Sequence, residues 1–396
     1  MTNATIRTYL DNGSTSLPKA PGVSCAIKDF LDNQGYNAGR GAYRSSTNIA
    51  MDILHTRELL ADFFVAESPR HIIFTSGLTA SINMVLSGYL KESDHIITTS
   101  MEHNSVMRPL HALQQQEGIS YSVAHCDSNG VLDPAAIDAL IRPQTRAVIM
   151  THASNVCGTI MPINQVSQIC QEHGLHLIVD AAQSAGVLPI NVTKSKIDAL
   201  LFPGHKGLLG PQGIGGMVLS DEFAAQIEPI IWGGTGSRTQ DLDHPDMLPD
   251  KFESGTQNIP GILGLRTAIQ YLQSRGIDAI AAHERKLNNC FRKSVAKLDG
   301  VKVMASGGQD CVAITSLDFP GRDNAHVATL LDRDYEIMTR CGMHCAPAAH
   351  KTLGTYPAGT LRASFGHGNT TADVTYIVDS LAAILDDYKA FNPQDS

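Results

Sequence analysis

Short apolar runs alternate with helix-period segments through the first two thirds of this 396-residue chain, and that alternation limits the fold more than any other feature. The runs at 71–75, 95–99, 147–151, 176–180, 199–202 and 216–219 have strand length and are rich in Ile, Val, Leu and Phe. Between them, the segments 81–90, 106–117, 134–141 and 164–172 carry a helical pattern. Strands that are apolar along their whole length must be covered on both faces, which requires a mostly parallel sheet between helices. The class is therefore α/β. From Trp232 to Pro260 the pattern gives way to a Gly-, Asp- and Pro-rich stretch that reads as a long functional loop. Helical patterns at 262–275 and 283–298 follow. A smaller α+β unit comes next, with strands near 301–304 and 311–316 and helices near 325–332 and 371–387. The expected division is a large domain over 16–260 and a small C-terminal domain over 261–396, with residues 1–15 packing against the small one.

Sheets of this kind bind ligands beyond the carboxyl ends of their strands, and reactive side chains collect there. Lys206 stands in the glycine-rich turn Phe202-Pro203-Gly204-His205-Lys206-Gly207, downstream of a strand that ends in Asp180. A lysine so placed suits covalent capture of the pyridoxal phosphate aldehyde. A buried aspartate would keep the pyridine nitrogen protonated, and His205 would touch the same cofactor. Ser76-Gly77-Leu78-Thr79 opens a helix whose free amides at Leu78 and Thr79, with the Thr79 hydroxyl, form an anion site for the phosphate. His103 can stack on the pyridine ring and exchange protons, and Asn155 and Gln183 can reach its phenolic oxygen. Near the C-terminus, Arg340-Cys341-Gly342-Met343-His344-Cys345-Ala346-Pro347 sets Cys345 among positive groups that favour the nucleophilic thiolate. Arg362 lies in a short strand, and its planar fork suits a substrate carboxylate. Singly, each of these residues has an ordinary explanation as surface lysine, core histidine or inert buried thiol. Their concentration at successive strand ends carries the reading.

Together these residues resemble the class V branch of the fold-type I pyridoxal phosphate enzymes, and within it the cysteine desulfurases, from Tyr9-Leu10-Asp11-Asn12 to the final helix. Gly204-His205-Lys206 and the Arg340–Ala346 segment are the most specific signals. The second is similar to the active-cysteine segment of group II desulfurases and selenocysteine lyase-like proteins. The resemblance implies conversion of L-cysteine to L-alanine with a persulfide left on Cys345 for a sulfur-acceptor protein. Lys206 would move the α-proton, His103 would serve as acid or base, and Arg362, Asn155 and Arg340 would bind substrate. It also implies a homodimer in which Thr256, from Glu253-Ser254-Gly255-Thr256, completes the partner's phosphate site. Selenocysteine lyase acting on L-selenocysteine, and a class V aminotransferase or epimerase, are the alternatives. A non-catalytic sulfur-carrier scaffold is disfavoured by the joint presence of Lys206, Asp180 and Arg362.

The sequence also departs from the family pattern. Pro203 stands where a phosphate-binding serine is usual, and Tyr43 of Arg40-Gly41-Ala42-Tyr43 where group II relatives often carry His. Met343 replaces the first His of the usual His-His-Cys, and Cys341 is an additional thiol. These changes imply a side branch whose acceptor and substrate preference can differ.

The formal net charge of -9 and the lack of basic blocks argue against nucleic-acid binding. No apolar run approaches the length of a membrane span, and Met1–Arg7 lacks the pattern of a signal peptide. The eight cysteines form no Cys-x-x-Cys pair, so reduced thiols in a cytoplasmic enzyme without a metal centre are expected.

Overall fold

The computed structural model describes residues 8–39, 41–237, 240–308 and 310–391; Arg40 and the opening residues 1–7 discussed above lie outside them. A two-residue strand, β1 (Thr8–Tyr9), leads in. The strands β2 (Ile72–Thr75), β3 (His95–Thr99), β4 (Ser120–Ala124), β5 (Thr145–Thr151), β6 (His176–Asp180), β7 (Ala199–Pro203) and β8 (Gly215–Leu219) form one sheet in the order β2-β8-β7-β6-β5-β3-β4. β8 runs antiparallel to both neighbours and every other adjacent pair is parallel. The apolar runs behave as their composition requires. Leu177 and Val179 of β6 enter one core layer and Ile178 the other, and β7 divides in the same way between Leu200 and Leu201. β4 has no counterpart among the apolar runs because it is an edge strand, with Ser and Tyr on its half-exposed positions.

Two boundaries differ from the sequence pattern. The expected helix at 134–141 shrinks to Ala135–Asp138; Arg142 precedes a proline, and such a residue is pushed out of helical backbone. The change of core also falls later than residue 260. The helix Ile259–Arg275 contributes Ile262, Leu265, Ile269 and Leu272 to the large core, where it packs on the helices Val23–Asp29 and Arg44–Phe64. The small core begins with Leu287 and Phe291 of the next helix, Ile277–Val295. Its sheet contains β9 (Lys302–Val303), β10 (Ile314–Asp318), β12 (Arg340–Gly342) and β13 (Thr360–Ser364) in the order β12-β13-β10-β9, while β11 (Ile337–Met338) pairs with β1. Through that pairing and the buried Leu10, the N-terminal segment joins the small core.

The loop beyond Trp232 is fastened by one buried ion pair. Arg57 donates from Nη1 to Glu253 Oε1 at 2.8 Å and from Nη2 to Oε2 at 2.5 Å, and the Phe74 amide donates to Oε1 at 2.7 Å. The two side chains are only 6% and 5% exposed. Removing one member strands the other charge away from water, which costs about 3–5 kcal/mol. Glu253→Ala should therefore lower unfolding free energy in urea by about 3 kcal/mol; a change below about 1 kcal/mol would mean that the pair is hydrated in solution.

Candidate active site

At the carboxyl ends of β2, β3, β5, β6 and β7 lies a cavity of about 420 Å³. Eight of the residues expected from the sequence line it: Leu78, Thr79, His103, Asn155, Asp180, Gln183, His205 and Lys206. Each sits just past or at a strand end, so the parallel sheet itself gathers them. Lys206 reaches the cavity because the backbone on either side of it is pressed into place. A Cβ on Gly186, whose φ is +84°, would strike the Gly207 carbonyl, and a Cβ on Gly207 would strike Ala185. Only two glycines allow the turn to lie so close to its neighbour.

The electrostatics follow from burial. Removal from water lowers the Lys206 pKa to about 8, against the opposing pull of Asp180. Asp180 is buried, accepts from the Ala182 amide at 2.8 Å, and has its own pKa raised by desolvation. His103 caps the helix Asn104–Gln116, and its Nδ1 accepts from the Ser105 amide at 2.9 Å. That nitrogen is thereby fixed as an acceptor, so the neutral ring carries its proton on Nε2. Burial, with the charges of Lys206, Arg108 and Arg362, brings its pKa down to about 4. Gln183 donates to the Gly13 carbonyl at 2.9 Å and ties the N-terminal segment to the cavity.

The pyridoxal phosphate expected from the sequence fits this donor set. The amides of Leu78 and Thr79 begin the helix Leu78–Tyr89, whereas those of Ala80 and Ser81 are already bonded to the Gly77 carbonyl. Nδ1 of His205 is buried without a hydrogen-bond partner among the described residues, and an amine, a carboxylate and an imidazole face one space. Pro203 lines the cavity but offers no hydroxyl.

Cys345 is exposed and does not line the cavity, yet its backbone is bound to it. His344 and Cys345 have φ of 47° and 56°, left-handed values that cost a side-chain-bearing residue about 1–2 kcal/mol each. Two donors hold the turn. Asn155 Nδ2 donates to the His344 carbonyl at 2.8 Å and the Asn104 amide to the Cys345 carbonyl at 2.8 Å. Buried His344 further pairs its Nε2 with Thr360 Oγ1 at 3.1 Å. Cys341 lies instead within β12 opposite Leu361, where burial raises the thiol pKa. Arg362 is buried with its guanidinium largely engaged. Nη1 donates to the Asn155 carbonyl at 2.8 Å and Nη2 to Asp11 and Ser14, both at 2.8 Å, while Nε has no partner among the described residues. Arg340 stands opposite Arg362 in the sheet, 46% exposed, and donates to the same Ser14 hydroxyl at 2.9 Å. Thr256 is exposed and absent from its own chain's Lys206 cavity.

Asp11, Ser14 and Asn104 were not anticipated as site residues, and neither was Glu102. Glu102 is fully buried between β3 and β5, accepts from Thr99 Oγ1 at 2.6 Å and the Thr151 amide at 3.0 Å, and is pushed up to about 8 by desolvation. Its signal was an acid immediately before His103 at a strand end.

Residues 8–377 match the family model described as aminotransferase class-V. A probable cysteine desulfurase of Methanothermobacter thermautotrophicus is 33% identical over 380 residues, covering 95% of this chain and 94% of that protein. The apo structure of a cysteine desulfurase from Thermococcus onnurineus superposes with a TM-score of 0.90 at 32% identity, covering 96% of this chain and 95% of that one. The S-sulfonic acid form of the cysteine desulfurase CsdA from Escherichia coli gives 0.87 at 29% identity, with 96% and 95% covered.

The strained turn makes a prediction independent of activity. Cys345→Gly should be more stable than Cys345→Ala by about 1 kcal/mol, because only the glycine accepts φ near 56° without penalty. Urea titration of both variants measures the difference; equal stability would mean the turn is relaxed.

Proposed function

The chain belongs to the aminotransferase class-V family, and we propose that it acts as a pyridoxal phosphate-dependent cysteine desulfurase, moving sulfur from L-cysteine to Cys345 and releasing L-alanine. The observation that carries this reading is the exposed Cys345 on a strained turn whose carbonyls are tied to Asn155 and Asn104, at the mouth-forming ends of β5 and β3.

Lys206 would hold the cofactor aldehyde, Asp180 its pyridine nitrogen, Leu78 and Thr79 its phosphate, and Asn155 and Gln183 its phenolic oxygen. When bound, the cofactor supplies a sink for the electron pair released as the substrate Cα–H bond breaks. The chain supplies the rest. Lys206, with its pKa near 8, has a neutral amine fraction able to take the α-proton. His103 offers a neutral imidazole with Nε2–H as donor. The Arg362 guanidinium, steadied by Asn155, Asp11 and Ser14, would pair with the substrate carboxylate. The Cys345 thiolate attacks the substrate sulfur, an S–S bond forms, and the Cβ–S bond breaks. Its electron pair stays with the three-carbon fragment, which takes up protons to become alanine. Exposure of Cys345 suits delivery of the sulfur to an acceptor protein.

A homodimer completed in trans by Thr256 is part of the same reading. Thr256 borders a surface cleft of about 980 Å³ that also holds the exposed Trp232 and Leu242. No described helix is long and apolar enough to cross a membrane, and the free cysteines suit a cytoplasmic setting.

The test is alanine and sulfide release from L-cysteine. Lys206→Ala should abolish both, and Cys345→Ala should stop sulfur release while leaving the pyridoxal phosphate absorption intact. Full desulfurase activity in Cys345→Ala would favour a class V aminotransferase. Turnover should rise with pH through about 8, since a lowered lysine pKa brings the neutral amine into that range; an inflection near 10 instead would show Lys206 to be hydrated. For the dimer, Lys206→Ala and Thr256→Ala subunits should regain activity on mixing, since one site of the mixed dimer carries neither defect. No recovery after subunit exchange would rule out the contribution in trans.

A further inference from the structure

At their active-site ends, β3 and β5 are joined by a side chain. The ladder between these strands runs from His95 to Ile97, opposite Thr145 to Val148, although β3 continues to Thr99 and β5 to Thr151. Successive amides of a strand point to opposite neighbours. His152 donates to the Asp180 carbonyl of β6 at 2.9 Å, so the Thr151 amide faces the β3 side, beyond the end of the ladder. A buried amide left unpaired is costly, and Glu102 Oε1 takes this one at 3.0 Å. The same oxygen accepts from Thr99 Oγ1 at 2.6 Å, and that hydroxyl accepts from the Met101 amide at 3.2 Å. One buried carboxyl oxygen therefore ties the last residue of β3 to the last residue of β5 and holds the turn that follows β3. That turn carries two groups of the site. His103, next after Glu102, lines the Lys206 cavity, and the Asn104 amide donates to the Cys345 carbonyl at 2.8 Å. On its other side the turn is tied to the edge strand β4, by the Ser100 amide to the Ala124 carbonyl and the Cys126 amide to Ser100 Oγ, both at 3.0 Å. The Glu102 bond to β5 is the one that reaches toward β6 and β7, which bear Asp180 and the Lys206 turn.

We propose that Glu102 is a positioning residue for His103, a brace across the unpaired ends of β3 and β5 that fixes where the imidazole enters the Lys206 cavity. The inference rests on the reading of His103 as the residue that stacks on the cofactor ring. Backbone continuity makes the brace effective, since Glu102 and His103 share a peptide bond and a shift of one carries the other. What the brace needs is an acceptor and not a charge. Burial, with a smaller push from the Asp180 charge and against the pull of its hydrogen bonds, raises the Glu102 carboxyl to about 8. Near neutral pH the group is therefore mostly the uncharged acid. A glutamine supplies the same carbonyl acceptor without a charge, and an alanine supplies neither.

The experiment reads His103 in the resting protein. Full-length protein loaded with pyridoxal phosphate is exposed briefly to diethyl pyrocarbonate at neutral pH, and carbethoxylation of each histidine is quantified by peptide mass spectrometry. The reagent attacks an imidazole lone pair, and that of His103 is engaged by the Ser105 amide at 2.9 Å, so labelling requires the ring to be displaced. His95, buried at the opposite end of β3 between Thr145 and Ser122, controls for general loosening of the sheet. Glu102→Ala should raise His103 labelling by about tenfold, the effect on local opening of losing roughly one net buried hydrogen bond, with His95 unchanged. Glu102→Gln should stay within about twofold of the parent, because both accepted bonds survive. Thr99→Val removes one of the two bonds and leaves the carboxyl; it should give a smaller rise at His103 alone, and it decides the matter if Glu102→Ala does not fold. Unmoved His103 labelling in either folded variant, a rise shared by His95, Glu102→Gln behaving like Glu102→Ala, or loss of folding in both Glu102→Ala and Thr99→Val overturns the proposal. Because no substrate is involved, that failure is separate from failure of the desulfurase reading, which would appear as absence of alanine from L-cysteine in the unmodified holoenzyme.

Discussion

The site depends on keeping a lysine amine away from bulk water at the ends of five parallel strands. An exposed lysine is almost wholly charged at neutral pH and is neither nucleophile nor base. Here the desolvation of Lys206 brings its pKa to about 8, and the chain meets the cost with a neighbouring buried acid, Asp180. The close approach of Gly186 and Gly207 fixes the turn on which the lysine rides. Buried ionisable groups then accumulate around it, with Glu102 and Glu284 both raised and His103 and His205 both lowered. Such a cluster of displaced proton affinities is a hallmark of proton-transfer chemistry.

The proposed reaction has a second requirement, that a thiol near the small core be presented to that centre. The small domain makes the connection through backbone. Strained residues 344 and 345 are held by donors from Asn155 and Asn104, and Arg362 donates to the Asn155 carbonyl. Asn155 thus stands between the Lys206 cavity, the cysteine turn and the arginine. The N-terminal segment closes the same assembly. Gly13 accepts from Gln183, and Asp11 and Ser14 accept from Arg362. Left-handed backbone at a non-glycine position survives only where its surroundings over-determine it, and these contacts do so.

Much of this was legible in the sequence. Burial on both faces made the strands apolar throughout, so the parallel sheet announced itself, and residues at its strand ends fell together because parallel strands share one functional edge. The edge strand β4 was hidden by its polar alternation. The extent of the large core was hidden too, since the helix 259–275 is apolar in a way that either domain could have used. Asp11 and Ser14 were invisible for a different reason. Their partner Arg362 lies some 350 residues away, at separations of 351 and 348, and no local pattern records such a contact.

The central claim is that the Lys206 cavity and the Cys345 turn form one desulfurase centre. Brief exposure of the holoenzyme to L-cysteine, followed by thiol blocking, proteolysis and fragmentation mass spectrometry, tests it most directly. One added sulfur located on Cys345, and absent from the Lys206→Ala protein, is the result the account predicts. Sulfur on Cys341, or on Cys345 regardless of Lys206, would contradict it.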